Sequence, residues 1–179
     1  MLTYRTITSE DSHALVSLFS DTFTAAEGEE EGQLLARLAR ALSQIIDNTR
    51  TFCFGAQENG ELTAALFFTG LQFSEPVSVY MLAPVAVATE RQGEGIGQAL
   101  IRFGLDALQA RGVDVVVTYG DPAYYSKSGF EPLPETVIEA PMPLSMPHGW
   151  QGLSLSGEVI PELKSRPACV EPFRDPVYW

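Results

Sequence analysis

At 179 residues the chain is long enough for one domain with a real core and short for two. It is 45% hydrophobic and 19% charged, a balance that excludes a disordered chain. Its net charge of −12 repels phosphate backbones and anionic lipid, so neither nucleic acid nor a membrane surface is an expected partner. Thr3 to Ile7 alternates apolar and polar residues and reads as a first strand. Thr8 or Ser9 then caps a helix with Glu10 and Asp11 in its first turn and Leu15, Leu18, Phe19 and Phe23 on one face. Glu27 to Gly32 interrupts the pattern. A second helix follows, with a stripe of Leu34, Leu35, Leu38, Leu42, Ile45 and Ile46. Thr51 to Ala56 and Leu62 to Leu71 read as strands joined by a hairpin at Asn59-Gly60.

Ser78 to Val87 is a further strand, which Pro84 is expected to interrupt. A glycine-rich turn, Gly93 to Gly97, opens a third helix whose apolar face is Ile96, Leu100, Phe103, Ala107 and Leu108, and which Gly112 stops. Val113 to Tyr119 is a valine-rich buried strand, and Asp121-Pro122 starts a short helix ended by Gly129-Phe130. Nine of the twelve prolines lie from Glu131 onward, so no long helix is expected there. Ile138 to Ala140 and Leu153 to Val159 are candidate short strands. The pattern predicts an α/β fold with a mixed sheet, one domain over 1–179: a core to about residue 135 and an elaborated C-terminal part from about 136.

Cys53 and Cys169 are far apart and lie in no metal or redox spacing. With only His13 and His148 as imidazoles, no dedicated metal site is expected. The first residues lack the basic and apolar regions of a secretory signal, and no apolar run is long enough to span a bilayer. The expectation is a soluble cytoplasmic protein.

The informative segment is Val85-Ala86-Val87, then Gln92-Gly93-Glu94-Gly95-Ile96-Gly97-Gln98. A strand, a glycine turn and a helix start aim backbone N–H groups at one point, which makes an anion site without side-chain charge. A dinucleotide GxGxxG loop needs glycine at position 98 or 100, where Gln98 and Leu100 stand, and no GxxxxGK run exists. Hydride transfer and nucleotide hydrolysis both lose support.

Gln92 to Gly97 matches the Q-x-x-G-x-G pattern of the GNAT family of N-acetyltransferases, and Tyr125-Ser126-Lys127-Ser128-Gly129-Phe130 resembles that family's Y-x-x-x-G-F segment. Gly120-Asp121-Pro122-Ala123-Tyr124-Tyr125 is similar to a bacterial subgroup carrying GDPxYY. The motifs cover about residues 78–132. The resemblance implies a mostly antiparallel mixed sheet flanked by helices, followed here by a Pro-rich extension. It implies acetyl-CoA as co-substrate, held by Gln92, Gly93, Gly95, Ile96, Gly97 and Gln98, with Val85, Ala86 and Val87 beside its pantetheine arm and an N–H there for the oxyanion. Tyr125 is the implied proton donor to the CoA sulfur, and Tyr124 is expected to pack in the core. Where many members carry a glutamate that relays a proton through water, Leu82-Ala83-Pro84 has none, so no general base is assigned. Asp121 reads as an N-cap and Glu90 as a solvated carboxylate. Glu94 is expected to face solvent, and Arg91, Arg102 and Lys127 are candidate phosphate partners.

Glu27, Glu29, Glu30 and Glu31 read either as a helix start or as an attractor of cationic amines. The acceptor is a small-molecule or peptide amine, and a homodimer is one allowed assembly. Two rival readings stay open: a non-catalytic acyl-CoA-binding or regulatory domain on the same fold, and an interaction protein whose glycine turn binds nothing.

Overall fold

A computed structural model describes residues Met1–Trp179. Four helices accompany a seven-stranded open sheet: β1 (Thr3–Thr6), α1 (Ser12–Glu27), α2 (Glu29–Ser43), β2 (Thr51–Glu58), β3 (Glu61–Leu71), β4 (Val79–Val87), α3 (Ile96–Ala110), β5 (Val115–Tyr119), α4 (Pro122–Tyr125), β6 (Glu131–Pro132) and β7 (Trp150–Ser154). The strand order is β1-β2-β3-β4-β5-β7-β6. Pairing is antiparallel at β1–β2, β5–β7 and β6–β7 and parallel at β4–β5, so the mixed α/β sheet expected from the sequence is present. No helix is long and apolar enough to cross a membrane. The chain forms two compact units, one of Met1–Phe68 with Pro84–Gly104, the other of Thr69–Ala83 with Leu105–Trp179.

In the first unit, Thr8 caps a 3-10 turn that leads into α1: Glu10 N–H donates to its Oγ1 at 3.3 Å and Thr8 N–H donates to Asp11 Oδ2 at 3.0 Å. The break between the first two helices is narrower than the sequence suggests. Gly28 alone makes it, at φ 100°, and Glu29, Glu30 and Glu31 fill the first turn of α2, where the helix dipole favours carboxylates. α1 packs along α2, and Gly32 permits the approach, because a Cβ there would run into Thr24 Oγ1 and stand 2.9 Å from the Ser20 carbonyl. α2 ends at Ser43, which leaves Ile45 exposed outside the stripe predicted for it. β2 and β3 meet at Asn59 and Gly60, both with positive φ, as a tight hairpin requires.

Phe103, expected on the buried face of α3, is instead partly exposed and stacks on Tyr4 at 5.9 Å. The middle of the buried stripe is occupied by Gly104, where a Cβ would lie 2.5 Å from the Phe68 ring and 3.1 Å from Phe54. A ring at 103 points off that stripe, because each residue turns a helix by about 100°. β4 runs unbroken through Pro84, contrary to expectation. Its register with β5 covers Val79↔Val115 to Leu82↔Thr118, ending before the residue that has no N–H to give.

In the second unit the C-terminal residues complete the sheet. β7 inserts between β5 and β6 in the strand order. Neither predicted C-terminal strand has its expected bounds: 138–140 is not a strand, and β7 begins three residues before Leu153. Ile138 instead gives its carbonyl to the buried Trp150 indole at 2.9 Å. Trp179 is buried too, donating to the Phe173 carbonyl at 2.7 Å and stacking on Tyr119 at 6.1 Å.

Candidate functional site

The first unit carries the glycine turn. β4 alternates burial as it approaches the turn, with Ala86 buried and Val85 and Val87 half-buried. The Val87 carbonyl closes the strand: it accepts from the Gln92 side chain at 3.0 Å and from Thr22 Oγ1 at 3.4 Å. Gln92 therefore fixes the turn to the strand end through its side chain, a role the motif match alone does not reveal. Gly93 and Gly95 both have φ 81°, a conformation that side chains rarely adopt, and a Cβ on either would meet nothing within 4 Å. The Gly95 carbonyl accepts from Ala99 N–H at 3.1 Å, so Gly95 stands immediately before the first turn of α3. Ile96, Gly97 and Gln98 form that turn, the end of a helix at which backbone N–H groups point outward. The turn is thus open, free of side-chain bulk and at the positive end of a 15-residue helix.

Charge around the turn is already paired. Arg91 Nε donates to Glu94 Oε2 at 2.7 Å, and its Nη1 donates to Glu58 Oε2 at the same distance. Hydrogen bonds to these two carboxylates raise the Arg91 pKa, and the bond to Arg91 lowers that of Glu58. Arg91 is therefore engaged rather than waiting for a phosphate. Glu94 is 51% exposed, as expected, but held sideways by Arg91. Arg102 and Lys127 are exposed, and so is Glu90, in the 3-10 turn before Gln92.

The second unit carries the tyrosine segment. Asp121 caps α4, accepting from Ala123 N–H at 2.9 Å with Pro122 at the first helical position, which bears out its reading as a cap. Gly129, at φ 96°, ends the following 3-10 turn. The two tyrosines differ from expectation. Tyr125 is the buried one, 9% exposed, while Tyr124 is half-buried; their rings meet edge to face at 5.1 Å. Tyr125 lies against Phe130 at 5.9 Å and over Gly120, where a Cβ would stand 2.9 Å from its Cε2. Burial, reinforced by Tyr124 and Asp121, pushes its phenol pKa well up, so the group keeps its proton at neutral pH. The segment is anchored from the C-terminal side: Gly120 N–H donates to the Gly149 carbonyl at 3.0 Å, and buried Gln151 donates to the carbonyls of Gly149 and Gly120 at 3.1 and 3.3 Å.

Cys53 is fully buried in β2, and burial drives its thiol pKa up, which makes it a core residue. His13 and His148 are exposed. Sequence reasoning missed the buried Gln151 that holds Gly120, and no local pattern in the sequence marks it.

Residues 3–133 match the family model for the acetyltransferase (GNAT) domain. The chain is 32% identical over 123 residues to the uncharacterized N-acetyltransferase YjhQ of Escherichia coli K12, covering 65% of this chain and 67% of that one. It is 48% identical over 50 residues to YhbS of the same strain, 28% of this chain and 30% of YhbS. The crystal structure of E. coli YhbS in complex with CoA superposes with a TM-score of 0.79 at 23% identity, covering 97% of this chain and 92% of that one. A GNAT acetyltransferase from Brucella melitensis in complex with acetyl-CoA gives 0.70 at 25% identity, covering 97% and 98%. The chain thus belongs to the GNAT family of acetyltransferases and is an acyltransferase.

Proposed function

We propose that this protein is an N-acetyltransferase that moves the acetyl group of acetyl-CoA to a primary amine by direct attack of the amine on the thioester. The observation that carries the reading is the turn Gly93–Gly97. Two glycines in the left-handed region and the start of a long helix offer backbone N–H groups, with no side chain over Gly93 or Gly95. Pyrophosphate is the ligand such a turn suits, and in a chain of net charge −12 an uncharged donor set is a workable way to hold it. Gln92, Gly93, Gly95, Ile96, Gly97 and Gln98 hold the cofactor, and Val85, Ala86 and Val87 run beside its pantetheine arm. Collapse of the tetrahedral intermediate expels a thiolate, and Tyr125 supplies its proton. A phenol kept neutral by burial suits that role. Acidic residues at the head of α2 favour a cationic acceptor; burial and the neighbouring Glu27 and Glu30 raise the pKa of Glu31, a sign of crowded negative charge. We take the enzyme to act in the cytoplasm.

The test is CoA release from acetyl-CoA over a panel of spermidine, kanamycin, free amino acids and lysine peptides, with thermal unfolding measured in parallel. Turnover with at least one amine is expected. So is a rise in stability of about 2.7 kcal/mol at a hundredfold excess of acetyl-CoA over its Kd. Stabilisation without turnover across the panel would favour an acyl-CoA-binding domain, and neither would leave a turn that binds nothing. In Tyr125→Phe the single-turnover rate falls by ~10²–10⁴-fold while acetyl-CoA affinity holds. A near-normal rate there, with the larger loss in Tyr124→Phe, would transfer the role to the half-buried neighbour.

A further inference from the structure

The antiparallel register of β5 with β7 runs from Val115↔Ser154 to Tyr119↔Trp150, so the next rung sets Gly120 against Gly149. A hydrogen-bonded antiparallel pair exchanges two bonds. One of them is present: Gly120 N–H donates to the Gly149 carbonyl at 3.0 Å. The return bond is missing, because Gly149 N–H closes the 3-10 turn Pro147–Gly149 and donates to the Met146 carbonyl at 2.8 Å. The Gly120 carbonyl thus loses its ladder partner where β5 gives way to α4. Gln151 takes the place. It lies in β7, 1% exposed, and its side-chain NH2 donates to the Gly149 carbonyl at 3.1 Å and to the Gly120 carbonyl at 3.3 Å. Two facing carbonyls fix the orientation of the amide, since only its nitrogen end has protons to give. Gly149 permits the approach: a Cβ there would stand 3.0 Å from the Gly120 oxygen.

We infer that Gln151 is a positioning residue for acetyl transfer, one that replaces the missing rung of the sheet and thereby sets the direction of α4 and the place of Tyr125. The inference rests on the proposed role of Tyr125. A helix of four residues does not hold its own direction and takes it from its ends. The Gly120–Asp121 peptide is the entry to α4. Asp121 caps that helix, and its carbonyl accepts from Tyr124 N–H and Tyr125 N–H at 3.1 and 3.2 Å. The Tyr125 ring then returns over Gly120 itself. One buried amide therefore fixes both the peptide that starts α4 and the surface on which the tyrosine rests. Gln151 gives up no proton in the reaction and acts through Gly120. Moving a reacting group by about 1 Å costs on the order of 10²-fold in rate, so a loosened Gly120 carbonyl is felt at the phenol.

The experiment compares Gln151→Glu and Gln151→Met by single-turnover transfer from acetyl-CoA to the panel amine with the highest turnover. Glutamate keeps the shape of glutamine. Protonated, it still donates to one carbonyl; ionised, it sets a carboxylate against two carbonyl oxygens. Burial and those oxygens raise its pKa above the usual ~4.3, so donation is present at low pH and lost as pH rises through the raised value. The rate of Gln151→Glu relative to wild type should therefore fall by ~10-fold between about pH 5.5 and 9, with acetyl-CoA affinity unchanged and folding checked by thermal unfolding at each pH. Gln151→Met, of similar length and without a donor, should slow transfer by ~10-fold at every pH and add little when combined with Tyr125→Phe. If Gln151→Met does not fold, the pH comparison in Gln151→Glu carries the test. With Tyr125→Phe slow, a wild-type rate in Gln151→Met, an equal loss from it in both backgrounds, or a rate ratio in Gln151→Glu that does not fall with pH overturns the role of Gln151 alone. A wild-type rate in Tyr125→Phe overturns the Tyr125 reading. Carbon-13 tyrosine NMR of the ligand-free chain gives a readout apart from turnover: the Tyr125 ring lines should move between the two pH limits in Gln151→Glu and stay in place in wild type. Unmoved lines in that variant overturn the link from Gln151 to Tyr125.

Discussion

The turn at residues 91–97 and the segment at 118–130 are built on opposite terms. In the turn, glycines face empty space: a Cβ at Gly93 or Gly95 would touch nothing, and what is offered is backbone. In the second segment Gly120 faces a tyrosine ring at 2.9 Å, and what is offered is one hydroxyl inside a filled surround. The same residue type therefore means two things. An open glycine with positive φ leaves room for something outside the chain, while a packed glycine makes room for something inside it. The first tolerates a substitution in folding and fails in binding; the second suffers in folding and in rate.

Gly95→Asp should give the largest effect and break the comparison if it fails. Aspartate is among the few residues that accept positive φ, so the fold should lose only ~1–2 kcal/mol. Acetyl-CoA affinity should fall by at least ~100-fold, read by calorimetric titration, because a carboxylate replaces open space at the proposed diphosphate position. Unchanged affinity in a folded variant removes the turn from the binding site.

Gly120→Ala sharpens the other half. Its φ is not left-handed, so the backbone is unstrained and the added methyl acts through the Tyr125 ring. Single-turnover transfer should slow by ~10-fold and stability should drop by ~1–3 kcal/mol, with acetyl-CoA affinity unchanged. A loss of affinity instead of rate would show the segment serving the cofactor rather than the proton.

The smallest effect is expected at Glu94. Glu94→Gln frees one side of Arg91 and removes a negative charge from the turn. Acetyl-CoA should bind ~2–5-fold more tightly at low salt, with the gain fading above a few hundred millimolar salt. Weaker binding would mean that the Arg91–Glu94 pair shapes the turn.

Most of the first unit is legible in the sequence because its elements announce themselves locally. The capping residues before α1, the Asn59-Gly60 hairpin and the Q-x-x-G-x-G turn each depend on a few adjacent residues. β7 is hard to place because Trp150-Gln151-Gly152-Leu153-Ser154 has no β-branched residue and no clean alternation; it is a strand because β5 and β6 flank it. Phe103 misleads because a helical stripe drawn through the largest apolar residues includes it, whereas the middle of the real stripe is Gly104, suited to the rings beneath it. Of the tyrosine segment, spacing picks out the residue but not its surroundings. The order of burial of Tyr124 and Tyr125, and the packing of the Tyr125 ring over Gly120, arise from folding and not from the spacing of the motif.

The two ends of the sheet order also bear on how this protein ages in a tube. Aggregation by strand addition needs a long, flat border with unpaired N–H groups. Here one border is β1, four residues long and carrying Arg5, whose guanidinium is tied to Asp11 at 2.7 Å. The other is β6, two residues long, of which Pro132 has no N–H at all. Neither border is a good template for an incoming strand, so the native protein should stay dispersed until heating opens the sheet itself.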